Sequence, residues 1–352
     1  MTISAFDSPL LSALLGDDEV AGYFSVEADI RAMLAFESAL ASAQGAVGLI
    51  PAAAAARIAA ICDEFSPDVA SLAAGAARDG VVGPALIRLL RAKVGAPDDV
   101  HVHRGATSQD VVDTSLVLRL KPALGLLEAR LRALTALLRE LAVAQGTTKL
   151  MGRTRMHRAL PIRAADKLRG WREPLERHIA RLDELRPRLL VVQFGGPVGV
   201  RDDLGDKGAA IVAELARLLR LGAGPCWHVE RDALAELAAW TSLVSGSLGK
   251  IGADVAIMAQ NEIGEVKPME GGGSSAMPHK SNPVRAETLV ALARFNAALL
   301  GGFHQALVHE NERSGAAWTL EWLALPQMVI GAAAALRHAA ALCAGLRFVE
   351  PG

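Results

Sequence analysis

The chain has 352 residues and a formal net charge of -1; 51% of it is hydrophobic, yet aromatic residues make up only 4%. That length leaves ample volume for a core. The near-zero charge offers no global field for nucleic acid or an anionic membrane, so an anionic substrate has to be held by local cations.

Alanine and leucine dominate, and both favour helix. Tyr23 is the single tyrosine, and strand-favouring aromatics are scarce. An all-α fold follows. Cys62, Cys226 and Cys343 are far apart and form no CxxC pair, which fits a reducing, cytoplasmic setting rather than a disulfide framework. The first twenty residues carry acids and no basic n-region, unlike a signal peptide. No run of about 18 uncharged apolar residues predicts a membrane span.

Residues 1–100 read as a smaller N-terminal domain of short helices broken by Gly and Pro. One follows Pro51, another follows Gly83–Pro84, and 95–99 is a loop. From residue 101 to 345 the pattern is a long-helix bundle. Leu120, Leu124, Leu127, Leu131, Leu134, Leu138 and Leu141 form a heptad stripe, and Pro122 marks a kink or a fresh start. A second stripe holds Leu168, Trp171, Leu175, Ile179 and Leu182. A third runs from Leu234 through Val244, Leu248 and Val255 to Met258, and a fourth helical stretch covers roughly 284–312. Residues 346–352 form a short tail. Narrow apolar seams on helices this long require partners, which a bundle supplies.

Four polar or Gly-rich segments separate the stripes: 101–114, 152–161, 193–208 and 268–283. A bundle needs turns but not turns this rich in hydroxyls, amides and cations. Gly271–Gly273 can turn N–H groups inward as an anion nest; no strand precedes them and no GxGxxG spacing exists, so they are not a dinucleotide fingerprint. Ser274 and Ser275 follow. A serine acts as a base only where N–H groups, an ammonium such as Lys280 and exclusion of water stabilise its alkoxide. Lys280 and Asn282 can pair with a carboxylate. His101 and His103, two apart in an extended segment, point to opposite faces and are a weak metal signal. No metal and no cofactor is expected.

The run GSSAMPHKSNP at 273–283 closely resembles the signature of the fumarase/aspartase superfamily. HRGATSQD at 103–110 and GRTRMHRALP at 152–161 resemble its first and second substrate-binding segments. The resemblance covers about residues 100–325. It implies that Ser274 transfers the proton, that Lys280 and Asn282 bind a carboxylate, and that Thr107, Ser108 and Gln109 contact substrate. His103, Thr154, Gln193, Ser275 and Met277 join this binding set, while His279 is a loop contact. Glu287 matches the carboxylate that in many members orients a catalytic histidine.

That histidine is absent: Arg155 stands in its place, and an arginine does not exchange protons near neutral pH. Arg155 could pair with Glu287, clamp a substrate carboxylate or hold a subunit contact; His157, two residues on, is a weak substitute. The branch that lactonises 3-carboxy-cis,cis-muconate in aromatic degradation also lacks this histidine. QFGGPVG from Gln193, and ERSGAAWTLEW from Glu312, resemble that branch. Lactonisation needs fewer groups than a lyase reaction, because the nucleophile is the substrate's own carboxylate. A tricarboxylate demands cations, and Arg153, Arg155, Lys280 and Arg313 are candidates. The resemblance further implies a homotetramer with each site built from three subunits, and a small C-terminal helical domain that is not found within these 352 residues. Rival expectations are a sulfomuconate cycloisomerase, a fumarate-releasing lyase such as adenylosuccinate or argininosuccinate lyase, and a silent helical scaffold.

Overall fold

The Gly- and Pro-punctuated start folds as helices that are short except for the 21-residue α3: α1 (Ser12–Leu15), α2 (Asp18–Ala21), α3 (Val26–Ala46), α4 (Ala52–Glu64), α5 (Val69–Asp79) and α6 (Gly83–Val94). Side-chain oxygens of Asp17, Ser25 and Asp68 accept from backbone N–H groups at the starts of α2, α3 and α5. Gly80 closes α5 in the left-handed region, at φ 74°. The computed structural model describes residues 4–268, 272, 273, 277 and 281–350. Ser274, Ser275, His279 and Lys280 lie outside the described residues.

The leucine stripe forms α7 (Ser108–Gln145), 38 residues long, and all seven leucines are buried. Pro122 neither kinks it into two helices nor restarts it. The ring removes one backbone hydrogen bond, but Leu120 and Leu124 on either side are fully buried and hold the helix together. The second stripe becomes α8 (Ala164–Leu189), and α9 (Gly208–Leu219) follows. The third becomes α10 (Asp232–Met258) and the fourth stretch becomes α11 (Val284–Gln305). Two glycines let α10 and α11 approach closely: a Cβ on Gly252 would lie 2.5 Å from the Ala286 carbonyl oxygen, and one on Gly249 would lie 2.5 Å from the Ala293 Cβ.

A fifth long helix, α12 (Gly315–Ala344), has no counterpart in the stripe reading. It is apolar on every side, so it has no stripe to find. By length and composition it could cross a membrane, but 67% of its most apolar window is buried inside the protein. It packs with α7, α10 and α11 as a core helix.

The fold is mostly helical, with two small two-stranded sheets, one a hairpin and one a long-range pair, that composition did not predict. Strands β1 (Lys149–Thr154) and β2 (His157–Arg163) pair antiparallel, and β3 (Val266–Pro268) pairs with β4 (Leu346–Phe348), in what the sequence marks as tail. The β1–β2 hairpin turns at Arg155 and Met156, both at positive φ (48° and 69°), the twist that two-residue hairpin loops require.

Buried side chains form two cores. One joins α7, α8, α10, α11 and α12. The other joins α3 to α6 with Val192, Phe194 and the apolar face of α9, so residues far beyond 100 pack into the N-terminal layer. At about 1.5 Å per residue, α7 spans about 57 Å. Thr107 begins it and the β1–β2 hairpin follows its end, which sets two well-separated ends of the bundle.

Candidate active site

At the start of α7, Thr107 is the N-cap and its backbone N–H donates to Asp110 Oδ2 at 2.9 Å. Asp110, fully buried, also accepts from the N–H groups of Gly195 (2.8 Å) and Gly196 (2.9 Å) and from His228 Nε2 (2.8 Å). One carboxylate therefore fixes the helix entry and the QFGG turn together. Gly196 sits at φ 68°, and a Cβ there would lie 3.0 Å from the Gly105 carbonyl oxygen. Only glycine fits that approach.

On this frame Arg313 donates to Thr107 Oγ1 (3.0 Å), Gln109 Oε1 (3.2 Å) and the Pro197 carbonyl (3.0 Å). All three acceptors are neutral. Arg313 is exposed and has no carboxylate partner among the described residues, so its charge is available to an anion. Ser108 packs under Gly83, where a Cβ would meet its Oγ at 2.7 Å. Gln193 is fully buried. It accepts from the Trp227 N–H (3.0 Å), donates to Asp113, and its backbone pairs with Thr114 Oγ1, so it braces the turn from beneath. His103, at φ 62°, brings its Nδ1 to 2.6 Å from Oε1 of the buried Glu37.

Behind this surface lies a buried ion network. Arg231 donates to both oxygens of Asp113 (2.6 and 3.2 Å) and, through Nε (2.8 Å) and Nη2, to Glu321. Trp318 Nε1 donates to Asp113 (2.9 Å), the Arg231 guanidinium stacks over Trp227 at 4.8 Å, and His309 lies 3.5 Å from Glu321. None of Glu37, Asp113, His228, Arg231 or Glu321 stood out in the sequence. Asp110 had a signal that the reading passed over, since Thr107 and Asp110 have capping-box spacing.

The other sequence-marked residues lie at the far end of the bundle. Arg153 is committed to Glu265 (2.7 Å), whose other oxygen accepts from the Met151 N–H (2.9 Å). Thr154 and Arg155 are exposed at the hairpin tip, and Arg155 forms no ion pair with Glu287, which is exposed in the first turn of α11. Gly272 and Asn282 exchange two backbone hydrogen bonds of 2.9 Å; Asn282 Nδ2 also reaches the Gly273 carbonyl (3.4 Å), and Met277 is exposed. Within one chain, Thr107, Gln109, Arg313 and the glycine turn are thus brought together, with His103 in the loop that leads into them, while the hairpin, Asn282 and Glu287 stand apart from them. Among the described residues no cluster of three or more His, Cys, Asp or Glu could hold a metal.

Burial opposes charge on His228, but the Asp110 carboxylate and the Cys226 thiol hold its pKa up at about 9. Because the folded value lies above the usual 6.5, this contribution to stability is complete below about pH 6.5 and is lost as pH rises through 9. On the order of 3 kcal/mol is involved. The unfolding midpoint should fall across that window, and His228→Gln should remove this fall. A variant with the same slope as the parent would disprove the assignment.

A protein-family model described as Lyase matches residues 16–295. A 3-carboxy-cis,cis-muconate cycloisomerase of Pseudomonas aeruginosa is 42% identical over 330 residues, covering 92% of this chain and 72% of that protein. An N-acetyl-S-(2-succino)cysteine lyase of Enterococcus italicus is 35% identical, covering 94% of this chain and 74% of its own length. The crystal structure of the 3-carboxy-cis,cis-muconate lactonizing enzyme from Pseudomonas putida superposes with a TM-score of 0.91 at 39% identity, covering 97% of this chain and 78% of that one. With the motifs in family order, the family match over most of the chain and the same helical frame, the chain belongs to the lyase family of the fumarase/aspartase superfamily.

Proposed function

We propose that this enzyme is a cycloisomerase that converts 3-carboxy-cis,cis-muconate to 4-carboxymuconolactone. The observation that carries the reading is the 42% identity to the Pseudomonas aeruginosa cycloisomerase over 92% of the chain. The site chemistry agrees with it. A carboxylate of the substrate adds to a conjugated double bond, forming the C–O bond of the lactone. The displaced π pair becomes an enolate-like carbanion conjugated with another carboxylate, and a proton closes the reaction at the carbon α to that group. The nucleophile is already ionised and intramolecular, so proximity supplies much of the rate.

The enzyme then has to neutralise a tricarboxylate and stabilise the enolate. Arg313, presented by Thr107 and Gln109, is a cation with neutral partners and suits the first task. Lys280 and Asn282 are proposed as the second carboxylate contact, and Ser274 as the hydroxyl that moves the proton. Of these groups, Arg313 lies at the start of α7 and Asn282 at the other end of the bundle, α7 being about 57 Å long. A single chain does not bring Asn282 to Arg313, which supports a homotetramer whose sites combine ends from different subunits.

The N-acetyl-S-(2-succino)cysteine lyase relative, 35% identical, favours a second reading, a lyase that eliminates from a succinylated substrate. Arg155 argues against it, because no proton-exchanging side chain stands at that hairpin position. Incubation with 3-carboxy-cis,cis-muconate should bleach its diene absorbance. Unchanged absorbance beside an active control rejects the cycloisomerase, and appearance of fumarate from a succinylated substrate establishes the lyase.

A further inference from the structure

Lactonisation consumes a proton. The substrate carries three carboxylates, one becomes the ester oxygen of the ring, and the product carries two. Whichever group hands the proton to carbon has to be resupplied at every turnover, by something that holds a proton at neutral pH. Arg155 cannot do this, and the Arg313 guanidinium is equally unable to let one go.

We propose that Glu37 and His103 form the pair that supplies this proton, with His103 giving it up from Nε2 and Glu37 acting as its positioning residue. The inference rests on the cycloisomerase reading. Glu37 is buried on α3, and its Oε1 lies 2.6 Å from His103 Nδ1. That contact fixes the ring so that Nδ1–H faces the carboxylate and Nε2 is the nitrogen left to exchange protons. Nε2 has no hydrogen-bond partner among the described residues, and the side chain keeps 11% of its surface exposed. Glu37 Oε2 is buried with no hydrogen-bond partner among the described residues, where the imidazole is the one side chain the carboxylate bonds to. A buried carboxylate is costly unless it is paired with positive charge, and here the ring is the group placed to carry that charge.

The backbone is shaped for the same contact. His103 sits at φ 62°, a conformation unfavourable for a residue with a Cβ. It occupies the loop that leads into Thr107 and packs, through Gly105, on the Gly195–Gly196 turn. The groups facing the ring are Glu37 from α3, Asp110 from α7 and Arg91 from α6. Burial opposes the charged ring and Arg91 adds to that opposition, but Glu37, aided by Asp110, leaves the His103 pKa above its ordinary value. The pair thus resembles in chemistry the histidine and carboxylate that the hairpin and α11 fail to form, rebuilt on a different segment of the chain.

The sequence of events balances. The C–O bond forms, the π pair moves to the α carbon and takes the donor's proton there, Nε2 replaces the proton that the donor has given, and the neutral ring regains one from water. Turnover therefore requires the protonated ring, and kcat/KM should fall as pH rises through the His103 pKa. The test uses the full chain and the muconate absorbance assay. His103→Gln should lower kcat at least about 100-fold and abolish that basic limb. Glu37→Gln should move the limb to lower pH by about one unit or more and lower kcat more than it changes KM, and Glu37→Asp should restore part of both. A His103→Gln enzyme whose kcat stays within about tenfold of the parent, or a Glu37→Gln enzyme with the limb unmoved, overturns the proposal. If Glu37→Gln lacks helical circular dichroism, His103→Gln and its pH profile decide alone. A parent enzyme that leaves the diene untouched defeats the cycloisomerase reading and this inference with it, whereas an active parent with an active His103→Gln defeats only this inference.

Discussion

Ser274→Ala is expected to lower kcat on 3-carboxy-cis,cis-muconate at least about 100-fold, the lower end of what a positioned acid–base group contributes. An enolate-like carbanion is protonated at carbon, a slow step unless the donor is held at the carbon in an environment from which water is excluded. Gly272 and Asn282, on either side of Ser274 in the sequence, exchange two backbone hydrogen bonds, and removing one hydroxyl leaves those bonds in place. KM should change much less than kcat, since carboxylate binding is assigned to Lys280, Asn282 and Arg313. An unchanged melting curve would show that the fold survives. Turnover above about one tenth of the parent rate would remove Ser274 from the proton path.

Arg231→Met should have the largest effect on stability. The guanidinium is 2% exposed and lies between Asp113 and Glu321, both equally buried. Taking it away leaves two carboxylates facing one another in the interior with no cation between them. Loss of one partner from such a network costs about 3–5 kcal/mol, because the remaining charges stay desolvated and unpaired. Trp318 and Gln193 would still donate to Asp113 but cannot cancel its charge. Since Gln193 braces the glycine turn, activity should fall together with stability. Denaturant unfolding at fixed protein concentration measures the first effect, and a loss below about 1 kcal/mol would mean the network is hydrated or already rearranged. Replacing all three charges with apolar residues of similar volume should be far milder than the single change.

The contrast between Arg153 and Arg313 shows why a motif alone does not assign a role. Both are arginines in segments that resemble the family, and both were candidates to hold a carboxylate. Arg153 is neutralised by Glu265, 112 residues away in sequence, and anchors its own hairpin. Arg313 is held by two side chains and a carbonyl that carry no charge. The difference lies entirely in what the fold brings beside each guanidinium.

By itself the sequence determined the helical bundle, because leucines spaced by three and four have no other way to leave water than along one seam of a long helix. It also determined the family and the segments where chemistry sits, since hydroxyls, amides and glycines are unneeded in plain turns. It missed α12, which has no polar face to give it a period, and it missed the hairpin, whose register depends on a turn at positive φ rather than on composition. Only the tertiary structure decided that Asp110 meets His228 and Asp113 meets Arg231, each pair 118 residues apart, and that Glu37 meets His103 across 66. A lone Asp, Glu or Arg in a sequence reads as a surface charge. Its burial and partner are set by long-range packing, and it is the loss of water around the pair that makes the interaction strong enough to shape a site.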